Sequence, residues 1–112
     1  MAKTILVVVP DLMFETRVVD VARKLGYSVE TAGKPSELAA KLANANLVLL
    51  GLENNREWQN VVERARGAEV PVLAFGRHTS VELLRQAREA GCTHVVVNSD
   101  IAEKLPALLA EF

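Results

Sequence analysis

Few residues in this chain pair a reactive side chain with a useful spacing. The two histidines, His78 and His94, have no metal-ligating partner near them in sequence. The single cysteine, Cys92, follows Gly91 at a predicted helix-to-strand junction and has no cationic neighbour to activate it, so it reads as a small packing residue. It excludes an internal disulfide and fits a reducing, cytoplasmic setting. No Gly-rich phosphate loop follows a strand, no Gly-x-Ser-x-Gly elbow occurs, and no nucleophile–base pair is legible. In an open parallel sheet the chemistry sits just outside the carboxyl ends of the central strands. That rule puts a site at Gly51 to Asn55, and the residue that opens it is a glycine.

The elements that must position this site follow from apolar pattern. Asn46-Leu47-Val48-Leu49-Leu50-Gly51-Leu52-Glu53 is a short aliphatic run without alternation, the pattern of a strand buried on both faces. Ile5 to Val9 and Val70 to Phe75 read the same way, with Pro71 expected at a strand start because it lacks a ladder donor. Tyr27 to Thr31 alternates and predicts a half-exposed edge; Thr93 to Val97 is the fifth strand.

Between the strands lie apolar stripes at helical period. Phe14, Val18, Val21, Ala22 and Leu25 form the first, and Leu38, Ala39 and Leu42 the second, after a Gly33-Lys34-Pro35 turn. Trp58, Val61, Val62 and Ala65 form the third, with Trp58 read as core, not as a ligand platform. Val81, Leu84 and Ala87 form the fourth, and Ile101, Leu105, Leu108, Leu109 and Phe112 the fifth. Capping boxes are expected at Asn54-x-x-Glu57, Thr79-x-x-Glu82 and Asp100-x-x-Glu103. Pro106 lies in phase within the last stripe, which predicts one helix with a kinked or loosened first turn.

Five strands alternating with five helices over 112 residues predict a single α/β domain spanning 1–112: a doubly wound parallel sheet of flavodoxin-like order 2-1-3-4-5. The 13 basic and 14 acidic residues leave a net charge of -1, which favours neither nucleic acid nor an anionic membrane as partner. No apolar stretch approaches the roughly 20 residues of a membrane span, and the first residues are a poor secretory signal.

These residues carry a resemblance. Ile5-Leu6-Val7-Val8, Lys24-Leu25-Gly26-Tyr27, Asn46-Leu47-Val48-Leu49-Leu50, Pro71-Val72-Leu73-Ala74 and Ala90-Gly91-Cys92-Thr93-His94 fall, in order and spacing, where the receiver domain of bacterial two-component response regulators has its strand and turn signatures. The chain resembles that family over nearly its whole length. Active receivers hold magnesium with carboxylates and accept a phosphoryl group on an aspartate, while a lysine and a hydroxyl steady the transferred charge. The resemblance puts the family's acidic pair on Val9 and Pro10, its phosphoacceptor on Gly51 and its hydroxyl residue on Gly76. Its lysine falls on Asn98 and the proline commonly following it on Ser99. A slip of register offers Asp11 and Glu53 as carboxylates but supplies no acceptor.

The resemblance therefore implies a pseudo-receiver: no catalysis, no metal, no cofactor, and a role as a protein-interaction module in bacterial signalling, with a signalling protein or a second copy as partner. The family's usual interface falls here on Arg85, Arg88, Glu89, His94, Glu103 and Lys104. The alternative is a sensor of a small anion or nucleotide, with Gly51 and Gly76 leaving room at the switch point and the helix starts at Asn54 and Thr79 offering N–H groups. Arg77, beside Gly76, reads first as an exposed loop arginine; the sharper reading pairs it with Asp11 or Glu53 so that it fills the pocket.

Overall fold

A computed structural model describes residues 3–32 and 35–112, with the side chains of Pro35, Ser99, Asp100 and Ala102 outside that set. The predicted turn at Gly33-Lys34 lies outside the described residues. Strands and helices alternate throughout: β1 (Thr4–Val8), α1 (Leu12–Lys24), β2 (Ser28–Thr31), α2 (Pro35–Leu42), β3 (Leu47–Gly51), α3 (Trp58–Gly67), β4 (Val72–Gly76), α4 (Val81–Ala90), β5 (His94–Val97) and α5 (Asn98–Leu109). All five strands run parallel in the order β2-β1-β3-β4-β5, as predicted.

The strand pattern explains the layering. Side chains alternate across a strand, so a fully apolar strand feeds both faces. Leu6, Val48, Leu50, Val72 and Ala74 join Leu38, Leu42, Trp58, Val61, Ala65, Leu84 and Ala87 in one core, which places α2, α3 and α4 on that face. Ile5, Val7, Leu47, Leu49, Leu73 and Phe75 join Val18, Ala22, Ile101, Leu105 and Leu109 in the other, under α1 and α5. Every residue of β3 and β4 is buried. Each fully buried leucine there contributes roughly 1.5–3 kcal/mol over an exposed one.

The open edge at β2 is blunted. The Ser28 amide bonds to the Lys3 carbonyl just before β1 and the Ala32 amide to the Val7 carbonyl on β1, so the alternate residue Thr31 faces outward. Lys41 donates to the Thr31 carbonyl and pairs with Glu37 at 3.2 Å. A lysine on an edge carbonyl discourages a foreign strand from adding there. At the opposite edge His94 Nε2 lies 2.8 Å from Glu111 Oε2, and its ring meets Phe112 edge-on at 5.4 Å.

Several helix ends differ from expectation. α3 starts at Trp58, not after Asn54, and α4 at Val81 behind Ser80; neither start has a side-chain cap. α5 starts at Asn98 and runs on through Pro106 as one helix. Asp100 thus sits inside α5 and is not its cap, and Pro106 lies well past the first turn that it was expected to loosen. Val81 was expected inward but is 69% exposed, at the very first position of α4. Ala39 and Leu25 are likewise exposed. The end of α4 is as predicted. Gly91 has φ of 104°, a left-handed cap that suits glycine, and the Arg66 side chain crosses it to donate to the Ala90 carbonyl. Burial pushes the Cys92 thiol up to about 11, in keeping with a packing role. Among the described residues no helix is long and apolar enough to cross a membrane.

Candidate functional site

Three loops meet at the carboxyl ends of the central strands: residues 9–11 after β1, 52–57 after β3 and 77–80 after β4. Between them lies a cleft of about 40 Å³, lined by Val9, Pro10, Asp11, Phe14, Gly51, Glu53, Asn54, Phe75, Arg77 and Asn98. Most of the residues that the sequence singled out are here, but their chemistry is otherwise engaged.

Asp11 is the N-cap of α1. Its Oδ1 accepts from the Met13 amide at 2.8 Å and the Phe14 amide at 3.3 Å. The first amides of a helix lack backbone partners, and an aspartate cap typically contributes about 1 kcal/mol. The carboxylate is thus turned toward the helix start.

Gly51 was expected to leave room and does not. A Cβ built on it would lie 3.2 Å from Val9 Cγ1 and 3.5 Å from Phe75 Cζ. Val9 and Phe75 are both buried, and Phe75 tilts against Phe14 with ring centroids 6.0 Å apart. Gly76 is equally hemmed in: its Cβ would lie 3.3 Å from Leu84 Cδ2 and 3.5 Å from Glu53 Oε1. Apolar side chains and one carboxylate have taken both spaces. Asn98 opens α5 at the floor of the cleft, and its buried Oδ1 has no hydrogen-bond partner among the described residues. The side chain of Ser99 lies outside the described set.

Glu53 spans two loops. Its Oε1 accepts from the Arg77 backbone amide at 3.0 Å. Arg77 therefore meets Glu53 through its main chain, and its side chain is exposed, as the first reading of it had it. Asn54 adopts a φ of 55°, and Asn55 Nδ2 donates to the Gly51 carbonyl at 2.8 Å while its Oδ1 accepts from the Glu57 amide at 3.1 Å. These local bonds compete with a capping box, which is why α3 starts late. Partial burial pushes the Glu53 carboxyl up, but hydrogen bonds from the Ser80 hydroxyl and the Arg77 amide, with the Arg77 charge, outweigh it and hold the carboxyl below its ordinary value.

A carboxyl depressed on folding contributes stability that is present above its unfolded value and lost as the pH falls through the folded one. Near neutrality that contribution is fully present, so Glu53→Gln should melt below the wild type there, and the wild-type melt should not change with pH through this group. The wild type should lose stability as the pH drops below about 4.5, the ordinary value, and more steeply than Glu53→Gln. Parallel curves for the two proteins would count against this account.

Sequence reasoning missed Ser80. Thr79 and Ser80 are adjacent hydroxyls before one helix, and nothing in the order of residues says which one turns toward Glu53. It also missed Phe14 and Phe75 as cleft walls, since both read simply as core.

No protein-family model and no curated protein matches the chain. Solved structures do. Chemotaxis protein CheY4 of Vibrio cholerae superposes with a TM-score of 0.82 at 22% identity, over 99% of this chain and 98% of that one. A CheY-like response regulator receiver domain protein from Methanospirillum hungatei gives 0.76 at 24% identity, over 99% and 96%. A response regulator from Thermotoga maritima gives 0.77 at 18%, over 98% and 99%. The chain has the receiver fold.

Val9 and Pro10 follow β1, Gly51 ends β3, Gly76 ends β4 and Asn98 opens α5. The α4–β5–α5 face carries the other predicted residues, and several of its charges are satisfied within the chain. Arg85 is bound by Glu82 and Glu89 along α4, while the His94 ring lies 2.8 Å from the Glu111 carboxylate. Outside this face, Lys24 and Asp20 pair on α1. Glu103, Lys104 and Arg88 are exposed. Among the described residues no three His, Cys, Asp or Glu side chains are grouped to hold a metal ion.

Proposed function

We propose that this protein is a phosphorylation-incompetent receiver that serves as a non-catalytic interaction module in signal transduction. The observation that carries the proposal is the filling of the position at the end of β3. Gly51 offers no acceptor oxygen, and Val9 and Phe75 occupy the space around it. The residues present do not fit the magnesium ion that receivers use. Magnesium wants an octahedral shell of hard oxygens, whereas Val9 and Pro10 supply no side-chain oxygen, Asp11 Oδ1 is held by two helix amides, and Glu53 Oε1 is held by the Arg77 amide. What remains of the fold is a rigid scaffold with its surfaces, and the partner is a signalling protein or a second copy of the chain.

The small-ligand reading loses its two supports. The spaces at Gly51 and Gly76 are filled, and the helix N-termini lie at Trp58 and Val81, not at Asn54 and Thr79. A cleft of about 40 Å³ admits about three water molecules, far less than a nucleotide.

Incubation of the protein with radiolabelled acetyl phosphate and magnesium tests the proposal. The expected result is no label on the protein and no magnesium-dependent change in Trp58 fluorescence. Stoichiometric labelling refutes it. Sedimentation at rising concentration then separates the two kinds of partner: a dimer favours self-pairing, and a persistent monomer favours a different protein.

A further inference from the structure

The loops after β3 and β4 are tied together by one side chain. Glu53 Oε1 sits 3.0 Å from the Arg77 amide nitrogen and 3.5 Å from the point where a Cβ on Gly76 would stand. Leu84, from the second turn of α4, lies 3.3 Å from that same point. The carboxylate thus fills the space above the end of β4, which glycine leaves open and which any larger residue would take. Its own position is fixed from below. The Leu52 amide donates to the Phe75 carbonyl at 2.9 Å, extending the sheet up to Glu53, and Asn55 straps the loop back to the Gly51 carbonyl.

The segment it holds is short. The turn 77–80 closes on itself through Ser80 N–H to the Arg77 carbonyl at 3.0 Å, and α4 begins with Leu84 N–H to the Ser80 carbonyl at 3.0 Å. The first residue of this turn gives its amide to Glu53, and the last gives its hydroxyl to the same carboxylate. Both ends of the turn therefore hang on one charged acceptor, and hydrogen bonds to a charged group are stronger than neutral ones. α4 has no side-chain cap of its own. Its first turn carries the exposed Val81, with the Glu82–Arg85–Glu89 ladder beyond it.

We propose that Glu53 is a built-in latch: by holding the Arg77 amide, its carboxylate fixes the turn into α4, and with it the α4 surface, in a single arrangement that needs no added group. The latch concerns how one surface is held, so it stands whether or not the protein accepts phosphate, and its test involves no phosphate.

The test is residue-resolved amide exchange by NMR on the full chain. Glu53→Ala should lower the protection of the Arg77 amide about tenfold and loosen the amides from Ser80 to Leu84, with Leu49 and Leu73 in the sheet unchanged. Arg77→Ala keeps the backbone donor, so its amide at position 77 should stay protected to within about twofold. Should Glu53→Ala loosen the whole sheet, Ser80→Ala decides. It removes one donor at the surface and should reduce protection in residues 77–84 while sparing Leu49. Protection of residue 77 that is unchanged in both Glu53→Ala and Ser80→Ala overturns the latch.

Discussion

Aspartate placed at position 51 is expected to destabilise the protein and to leave it unable to take up phosphate. The added Cβ would meet Val9 Cγ1 at 3.2 Å and Phe75 Cζ at 3.5 Å, and both of those residues are buried. Overpacking of this kind costs roughly 1–3 kcal/mol, and a carboxylate beside apolar walls adds a desolvation cost. A loss of about 2 kcal/mol corresponds to a fall in Tm of roughly 8 °C for a domain of this size. The same change supplies an acceptor oxygen but no shell to activate it, since Val9 and Pro10 carry no oxygen ligand and Asp11 is committed to α1. Thermal melts and labelling with acetyl phosphate measure the two halves separately. Gly51→Ala should show the steric part alone. Val9→Ala should relieve part of the cost of Gly51→Asp, because the two positions touch and their effects will not add. A Gly51→Asp protein that melts like the wild type, or that takes label, contradicts the filled site.

On the proposed reading, a loss of reaction chemistry at this site goes with a gain in packing. Val9 packs against Gly51, Phe75 against Phe14, and Glu53 lies over Gly76. A site kept open for a ligand must leave polar groups solvated, and that costs stability. Closing such a site removes that cost and, on the proposed reading, the means of switching by an added group. The Asn98 Oδ1 is the exception, a buried acceptor without a partner among the described residues. An orphaned acceptor of this kind generally costs on the order of 1–3 kcal/mol.

The fold was legible in the sequence because the signal for it is strong and local. Three aliphatic runs that never alternate can only lie in a sheet covered on both faces, and β1, β3 and β4 are those runs. The alternating run at residues 27–31 could only be an edge, and β2 is one. The helix starts were not legible, because capping boxes are statements about competition. Asn55 bonds to Gly51 and Glu57, and Ser80 to Glu53, so the side chains that could cap α3 and α4 serve the loops instead. That outcome depends on how near β3 brings its loop to that of β4, which no local pattern records. Arg77 shows the same limit. Its exposed side chain was foreseen, but the bond from its main chain to Glu53 was not, since a backbone amide leaves no mark in the choice of residue. Room at Gly51 and Gly76 was inferred from the absence of a side chain, and the walls that fill it come from other strands and helices.

Trp58→Ala is expected to have the largest effect of any single truncation outside the strands. Trp58 opens α3, is 8% exposed, and belongs to the core between the sheet and α2, α3 and α4. Removing a buried tryptophan side chain typically costs 3–5 kcal/mol through lost transfer energy and the cavity left behind. Folded domains hold only about 5–15 kcal/mol in all, so the variant should approach the limit of folding at 37 °C. Circular dichroism should show a fall in Tm of roughly 12–20 °C, and the urea midpoint should drop with it. Because this is the only tryptophan, the same variant is dark in fluorescence, which makes dichroism the appropriate probe. Trp58→Phe keeps most of the volume and should lose far less, under about 1.5 kcal/mol. The contrast separates a core role from a platform for ligands. A residue held for binding would tolerate Ala with little loss of stability, whereas a residue that closes the core tolerates only another large apolar group. Equal melting of Trp58→Ala and wild type would move Trp58 out of the core and reopen the face of α3 as a binding surface.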